Sequence, residues 1–452
     1  RTIMAPTACV SPSEVRSVIK NDFISHDHFG LIANHGEDEM LQSRLMAKEL
    51  VLNVLKKRAA DVDLDHCGAG EEDPFYVADM GEVYRQHMRW KLNLSRVKPF
   101  YAVKCNPDPE VLRLMAQLGN GFDCASKSEI DLALRTGIDP SRIIYAQPCK
   151  TKSYLRYARE AGVKQMTFDN VDELYKIKAT FPEAELYLRI LTDDSTSLCR
   201  LSMKFGASID VAQQLLQLAR DLELKVVGVS FHVGSGAEDA SAFLTAVQDA
   251  RLVFDQAAEI GHDIHTLDVG GGFCQDTFEK FSAILSDALE TYFPPHIRII
   301  AEPGRYYVAN AFTLAANVIA RRDIPDPQDP SRDAYMLYLN DGVYGNFSNI
   351  IFDHQHPVAQ ILLSASDSQP GTPNSATSEP IPYSIWGPTC DGIDIITERI
   401  NLPGLLDIGD WLFFEEMGAY TKCSATAFNG FSDNHEVIYI SSETGASALL
   451  NY

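Results

Sequence analysis

The sequence predicts an α/β chain built as a closed (β/α)8, TIM-like barrel plus a C-terminal all-β domain of β-sandwich or Greek-key-like kind. Three observations carry this. Between residues 99 and 304, short apolar runs ending in a polar residue recur eight times: "FYAVK", "GFDCAS", "RIIYAQ", "QMTFD", "LYLRI", "VVGVSFH", "TLDVGGG" and "RIIAEPGR". Segments of helical period, such as "DPEVLRLMAQLG", "KSEIDLALRTG" and "VDELYKIKATF", separate them. After about residue 306 the texture turns β-rich, with "AYMLYLND", "PYSIWGPTCD" and "DWLFFEEMGAY". Strands alternating with helices argue for parallel βαβ units, and eight of them argue for closure.

The elements follow in order. Residues 1–70 are polar apart from one amphipathic helical stretch near Glu39–Lys57, and "DPFYVADMGEV" reads as a strand running into a helix. In "PFYAVKCNPDPEVL" a buried strand ends at Lys104, and Pro107 and Pro109 open the next helix. The barrel is expected over 80–308, and the β-rich domain over 1–79 with 309–452. Residues 364–380, "SASDSQPGTPNSATSEP", lack apolar anchors and are expected to be a disordered insertion.

Composition narrows the function. The chain has 452 residues, is 45% hydrophobic and 22% charged, and carries 62 acidic against 39 basic side chains for a net charge of −23. That balance disfavours nucleic acid or an anionic membrane as partner and suits a small cationic ligand. Nine cysteines without CxxC or metal-ligand spacing indicate free thiols in a reducing compartment. With no membrane-length apolar run and no signal-peptide pattern, the cytosol is the expected location.

In such barrels chemistry collects at the C-terminal strand ends, which here carry Lys104, Asp123, Arg189, His232, a glycine run and Glu302. Lys104 reads either as a lysine snorkelling at the rim or as a Schiff-base lysine, desolvated so that its amine attacks an aldehyde. Gly270, Gly271 and Gly272 form a flexible turn or let bare N–H groups approach a phosphate. In "AEPGRYY", Arg305 suits a phosphate and Glu302 a pyridine nitrogen, unless the two simply form an ion pair. In "SFHVGSG", His232 suits stacking on an aromatic ring and Ser235 a phosphate; a lone histidine is also an ordinary core residue or metal ligand, and no second ligand at metal spacing accompanies it. Together, a phosphate grip, an acid for a ring nitrogen, a stacking ring and an imine-forming lysine describe a pyridoxal 5'-phosphate site.

Eight motifs in order, "PFYAVKCN", "FDCAS", "SFHVGSG", "DVGGGF", "EPGR", "NDGVYGNF", "IWGPTCDGID" and "MGAYT", carry a family resemblance from about residue 70 to 435. The chain resembles the eukaryotic ornithine decarboxylases, among the barrel-type, alanine-racemase-like pyridoxal phosphate enzymes. The resemblance implies decarboxylation of L-ornithine to putrescine, the first step of polyamine synthesis, in a homodimer with shared active sites. Lys104 would bind the cofactor as an imine, Glu302 its ring nitrogen, and His232 its face. Asp123 and Arg189 would support the ring and lysine, while Ser235, Gly270 to Gly272, Arg305 and Tyr420 would hold the phosphate. Asp353, together with Asp391 of the partner subunit, would pair with the distal amine of a small cationic amino acid. Cys390 of the partner subunit would reprotonate the α-carbon, and Phe428 would line the pocket. Lys204 and Asp394 match an intersubunit ion pair, and Gly418 a tightly packed dimer position.

Phe352, Gln147 and Glu416 stand where the family more often has Tyr, Asn and Asn. Two other readings are a decarboxylase preferring lysine or arginine, and an inactive homologue resembling the antizyme inhibitors. Segment 152–178, with Lys152, Arg156, Arg159, Lys164, Lys176 and Lys178, matches the regulator-binding region of the family; it reads equally as a solvated helical face or as a surface for an antizyme-like partner.

Overall fold

The computed structural model describes residues 37–195, 197–237, 239, 241–364, 380–431 and 434–451. The insertion expected at 364–380 lies outside the described residues except at its two ends. The described residues divide into two compact units, one spanning Tyr84–Val308 and the other formed by the chain up to Val83 together with Ala309 onward.

The strands are, in chain order, β1 (Phe75–Asp79), β2 (Val97–Ala102), β3 (Gly121–Cys124), β4 (Ile143–Tyr145), β5 (Gln165–Phe168), β6 (Glu185–Arg189), β7 (Ser197–Cys199), β8 (Lys225–Ser230), β9 (Ser235–Ala237), β10 (Thr266–Asp268), β11 (Arg298–Ala301), β12 (Phe312–Pro325), β13 (Asp333–Leu339), β14 (Gln360–Leu363), β15 (Pro380–Trp386), β16 (Ile395–Pro403), β17 (Trp411–Phe414) and β18 (Glu436–Ile440). The eight apolar runs of the sequence are β2, β3, β4, β5, β6, β8, β10 and β11, all parallel, and β11 closes the barrel on β2 through Ala301 opposite Pro99. Phe100, Ile144, Tyr187, Val227 and Ile300 point inward and pack as one layer. Their bulk fills the interior, so the barrel is a packed core with its chemistry at the rim.

Local chemistry keeps the strand-to-helix turns short. Asp108 accepts from the N–H groups of Glu110 and Val111 at 2.9 and 3.3 Å and caps the helix Pro109–Gln117, whose proline takes the first position, where no N–H is needed. Ser126 caps the helix Lys127–Arg135 by accepting from Glu129 N–H, and the Glu129 carboxylate reaches back to accept from Ala125 N–H at 2.6 Å. Each cap fixes the turn immediately after a strand end, where the candidate residues stand.

One expectation is corrected here. Lys104 does not end the strand: β2 stops at Ala102, and Lys104 lies in a 3-10 turn, Val103–Cys105, with its side chain 40% exposed. Val103 and Cys105 are buried on either side, so the turn aims the lysine outward.

The second unit is a mostly-β sheet domain. β1 lies between β12 (antiparallel) and β18 (parallel). The 14-residue β12 pairs with β1 and β17 along its first half and with β13 along its second, and the register shifts between Val318 and Ala320. β15 extends the sheet in parallel to β13 and antiparallel to β16, and β14 pairs with β17. The helix Glu37–Ala60 buries Leu55 and Ala59 against Phe75, Trp411 and Phe413. Its Leu41, Leu45 and Met46 stay exposed, so its apolar face packs from Ala47 onward.

Candidate functional site

In the barrel unit, Lys104 Nζ donates to Asp123 Oδ2 at the end of β3. Asp123 is 1% exposed, and its other oxygen is buried without a hydrogen-bond partner. A carboxylate buried on one ammonium, with an acceptor to spare, is a site prepared for a further donor. Beyond β11, Glu302 is buried and its N–H donates to Gly270 O at 2.6 Å. Burial, then the charges of Asp123 and Asp268, drive its carboxyl well above the usual range, so its ionised form is costly without a partner.

Asp268, the last residue of β10, was not singled out from the sequence. It is fully buried, accepts from Gly270 N–H at 2.9 Å, and has its pKa raised to about 7 chiefly by burial. Its signal was its place: an aspartate one residue before the valine that leads into the glycine run, inside an otherwise apolar strand.

The glycines form a cradle that side chains would fill. A Cβ on Gly271 would lie 2.8 Å from His232 Nε2 and 2.9 Å from Glu302 O, and one on Gly270, at φ 65°, would lie 2.2 Å from Phe231 O. The backbone there is bare because the imidazole and the strand ends crowd it. His232 follows β8; Gly234 N–H donates to its Nδ1 at 3.0 Å, leaving Nε2 to carry the ring proton. Burial, with Arg189 and Lys104 nearby, holds the imidazole well below its ordinary pKa and therefore neutral. Arg189 ends β6 with its guanidinium 5.1 Å from the Phe205 ring centre. Arg305 Nη2 donates to Ser235 Oγ at 3.4 Å.

In the sheet unit, Cys390, Asp391 and Phe428 come together through two residues that sequence reasoning missed. Cys390 is exposed, and its N–H donates to Asn429 Oδ1 at 2.8 Å. Asp391 accepts from the Tyr344 hydroxyl, which with the Ile393 N–H holds its carboxyl below the ordinary range. Phe428 stacks on Tyr344 with ring centres 4.4 Å apart. Asp353 is buried at the end of the helix Ser348–Asp353, beside the exposed Ile351 and Phe352. Tyr420 adopts φ 56°. Asp394 is buried and accepts from Val343 N–H at 2.8 Å and from Thr389 N–H and Oγ1 at 3.0 and 2.6 Å, so its carboxylate is already engaged within its own unit.

None of the eight described cysteines is in a disulfide. Among the described residues no cluster of His, Cys, Asp and Glu is arranged to hold a metal ion, and no helix is long and apolar enough to cross a membrane.

Residues 80–309 match the model of the pyridoxal-dependent decarboxylase family's pyridoxal-binding domain. The chain is 58% identical over 456 residues to an ornithine decarboxylase of Neurospora crassa, covering 96% of this chain and 93% of that one. It is also 46% identical over 407 residues to antizyme inhibitor 2 of Xenopus laevis, covering 87% and 85%. Among solved structures it is similar to the arginine decarboxylase of Paramecium bursaria Chlorella virus bound to agmatine, with a TM-score of 0.78 and 36% identity over 87% of this chain and 100% of that one.

Proposed function

Because the chain belongs to the pyridoxal-dependent decarboxylases, we propose that it decarboxylates L-ornithine to putrescine, with residues 80–308 as the cofactor-binding unit. The observation that carries this is the Lys104–Asp123 pair at the barrel mouth together with the buried Glu302 beyond β11. The residues present fit pyridoxal 5'-phosphate: an amine for its aldehyde, an acid for its ring nitrogen, a neutral imidazole for its face, and bare glycine backbone with Arg305 and Ser235 for its phosphate. When bound, that cofactor supplies the electron sink that lets carbon dioxide leave.

The chain's own residues do the rest. Asp123 orients Lys104 Nζ and balances its charge. Glu302 shares a proton with a ring nitrogen; burial beside Asp123 and Asp268 raises its pKa, so its ionised form needs such a partner. Neutral His232 stacks without placing a positive charge against an electron-poor ring. The N–H groups of Gly271 and Gly272 and the Arg305 guanidinium take the phosphate dianion, while Gly270, whose N–H is given to Asp268, supplies the tight turn beneath it. Arg189 adds positive charge beside His232 and Lys104.

Selectivity belongs to the sheet unit. Asp353 and Asp391 take the distal ammonium of a small cationic amino acid, and Phe428 walls the pocket. A neutral or anionic side chain there leaves carboxylates unpaired. Cys390 Sγ delivers the proton that replaces the lost carboxylate. In this reading the enzyme is a homodimer, Cys390 and Asp391 of the partner subunit complete each site, and an antizyme-like regulator docks on 152–178. It works in the cytosol, where its thiols stay reduced.

The similarity to antizyme inhibitor 2 favours a second, non-catalytic reading. Against it stands the full set of Lys104, Asp123, Glu302, Arg305, Asp353, Cys390 and Asp391 in this chain. One experiment separates the readings: carbon dioxide release from ornithine, lysine, arginine and diaminopimelate, measured side by side. Preference for ornithine supports the proposal. Preference for lysine, which differs by one methylene and so by about 1–3 kcal/mol of discrimination, would reassign the substrate, and no release from any of the four would favour the non-catalytic homologue.

A further inference from the structure

The pole of the barrel away from this chemistry, where the strands begin, carries charge of the opposite sign to the chain as a whole. Side chains alternate along a strand, so the residue two positions before each inward-facing core residue belongs to the next layer toward the strand starts. The same step from Phe100, Tyr187, Val227 and Ile300 gives Lys98, Glu185, Lys225 and Arg298 on the strands, and from Ile144 it gives Arg142, the last residue of the 3-10 turn Pro140–Arg142 that leads into β4. Four of these five are cations, in a chain whose net charge is −23.

Local contacts account for only part of this layer. Arg142 donates from Nε and Nη2 to Asn120 O, and from Nη2 to Ala116 O at 2.7 Å, which satisfies the end of the helix Pro109–Gln117. Arg298 lies over the Phe100 ring and donates to Gln165 Oε1 at 2.9 Å, an oxygen that also accepts from Tyr187 at 2.8 Å. Lys98 and Lys225 are exposed and have no such partner. Among the described residues none of the four cations forms an ion pair. The acidic neighbours are Glu185, the register partner of Lys225, and Asp139, which accepts from Ser141 N–H and lies near Arg142. Asp139, Ser141, Lys164, Gln165 and Glu185 line an open cleft beside this layer.

We propose that this pole binds a small, multivalent oxyanion of the phosphate class. Both guanidinium groups are held in place before any ligand arrives; Arg298 donates to the protein through Nη1, which leaves its Nε–Nη2 edge for a tetrahedral oxyanion, while Arg142 adds fixed charge. Lys98, whose side chain reaches solvent, stands beside Arg142 and Arg298, and partial desolvation with those two charges lowers its pKa. An anion seated among the three relieves that repulsion. Extended polyanions are disfavoured, because the charge of the whole chain repels them beyond the immediate ring.

The test uses cofactor-loaded enzyme, so that phosphate groups at the catalytic mouth are already satisfied. Pyrophosphate is titrated at constant ionic strength, with chloride as the control, and followed by calorimetry and by the thermal midpoint. The variant is Lys98→Ser with Lys225→Ser; both lysines are exposed, so folding is preserved and anion-free decarboxylation is unchanged. The expected result is saturable binding that weakens about tenfold or more in the variant, the order of a lost charged hydrogen bond. A response no larger than that to chloride would overturn the proposal. So would equal binding by the variant, which would mean an anion at another site or an adventitious ion only.

Discussion

Cys390 and Asp391 adjoin in sequence, yet each is held by a different distant residue, Asn429 and Tyr344. The backbone of one and the carboxylate of the other are thus fixed separately, and replacing either should leave its neighbour in place. Cys390→Ala should cut putrescine formation by about 10²–10⁴-fold, the usual worth of a positioned proton donor, with the cofactor absorbance unchanged; loss of that absorbance would contradict its role. Asp391→Asn should raise KM for ornithine about ten- to a hundredfold, the scale of a hydrogen bond to a charged group, with a smaller effect on kcat, and steady-state kinetics reads the split. Lys104→Ala should abolish both the yellow colour and borohydride fixation of the cofactor. The groups at strand ends were legible in the sequence because a polar residue closing an apolar run is conspicuous. Tyr344, Asn429 and Asp268 were not. The first two act across 47 and 39 residues of chain, and Asp268 looks like a strand residue until the structure surrounds it with Gly270 and Glu302.

At the scale of elements, the eight barrel strands could be read from periodicity because each is flanked by a helix of a different period. The antiparallel ribbon of β7 with β9 could not: three residues each are too few to establish an alternation. The 14-residue β12 was also hidden, since its two halves serve different neighbours and bury different faces. The placement of Lys104 beyond β2 belongs here too, because a 3-10 turn of three residues leaves no pattern of its own. Helix ends offer a direct test. Glu223 follows the C-cap of Ile209–Asp221 in the left-handed region, at φ 57°. Glycine is the residue that adopts this conformation without a Cβ penalty. Glu223→Gly should therefore stabilise the barrel slightly, because relief of a left-handed penalty of about 1–2 kcal/mol exceeds the roughly 0.4–1 kcal/mol that glycine's freedom in the unfolded chain takes back; a higher urea midpoint would show it. Its ion pair with Lys178, 3.5 Å long and exposed, subtracts little.

At the scale of the whole molecule, acid should weaken the barrel unit through His87. It is buried, with Nδ1 3.2 Å from the Tyr307 hydroxyl, and burial, then Lys91, lowers its pKa from 6.5 to about 4. The unfolded chain binds that proton more readily, so stability is full above pH 6.5 and falls as pH drops toward about 4. The total change is about 3 kcal/mol. Urea unfolding across this window should show the decline in the native chain, and His87→Phe should flatten it. The change of texture near residue 306 was readable, and residues 1–79 were expected to join the β-rich part, but the interleaved pairing of β1 with β12 and β18 was not legible, because strand partners far apart in sequence leave no local mark. That interleaving governs biosynthesis. β1 emerges from the ribosome early, yet one of its neighbours, β18, begins only at Glu436, so β1 must wait with an unsatisfied edge while the barrel's consecutive βα units fold behind it. A nascent chain halted before residue 436 should hence carry a finished barrel and an adhesive, incomplete sheet, and should be the species that holdase chaperones retain.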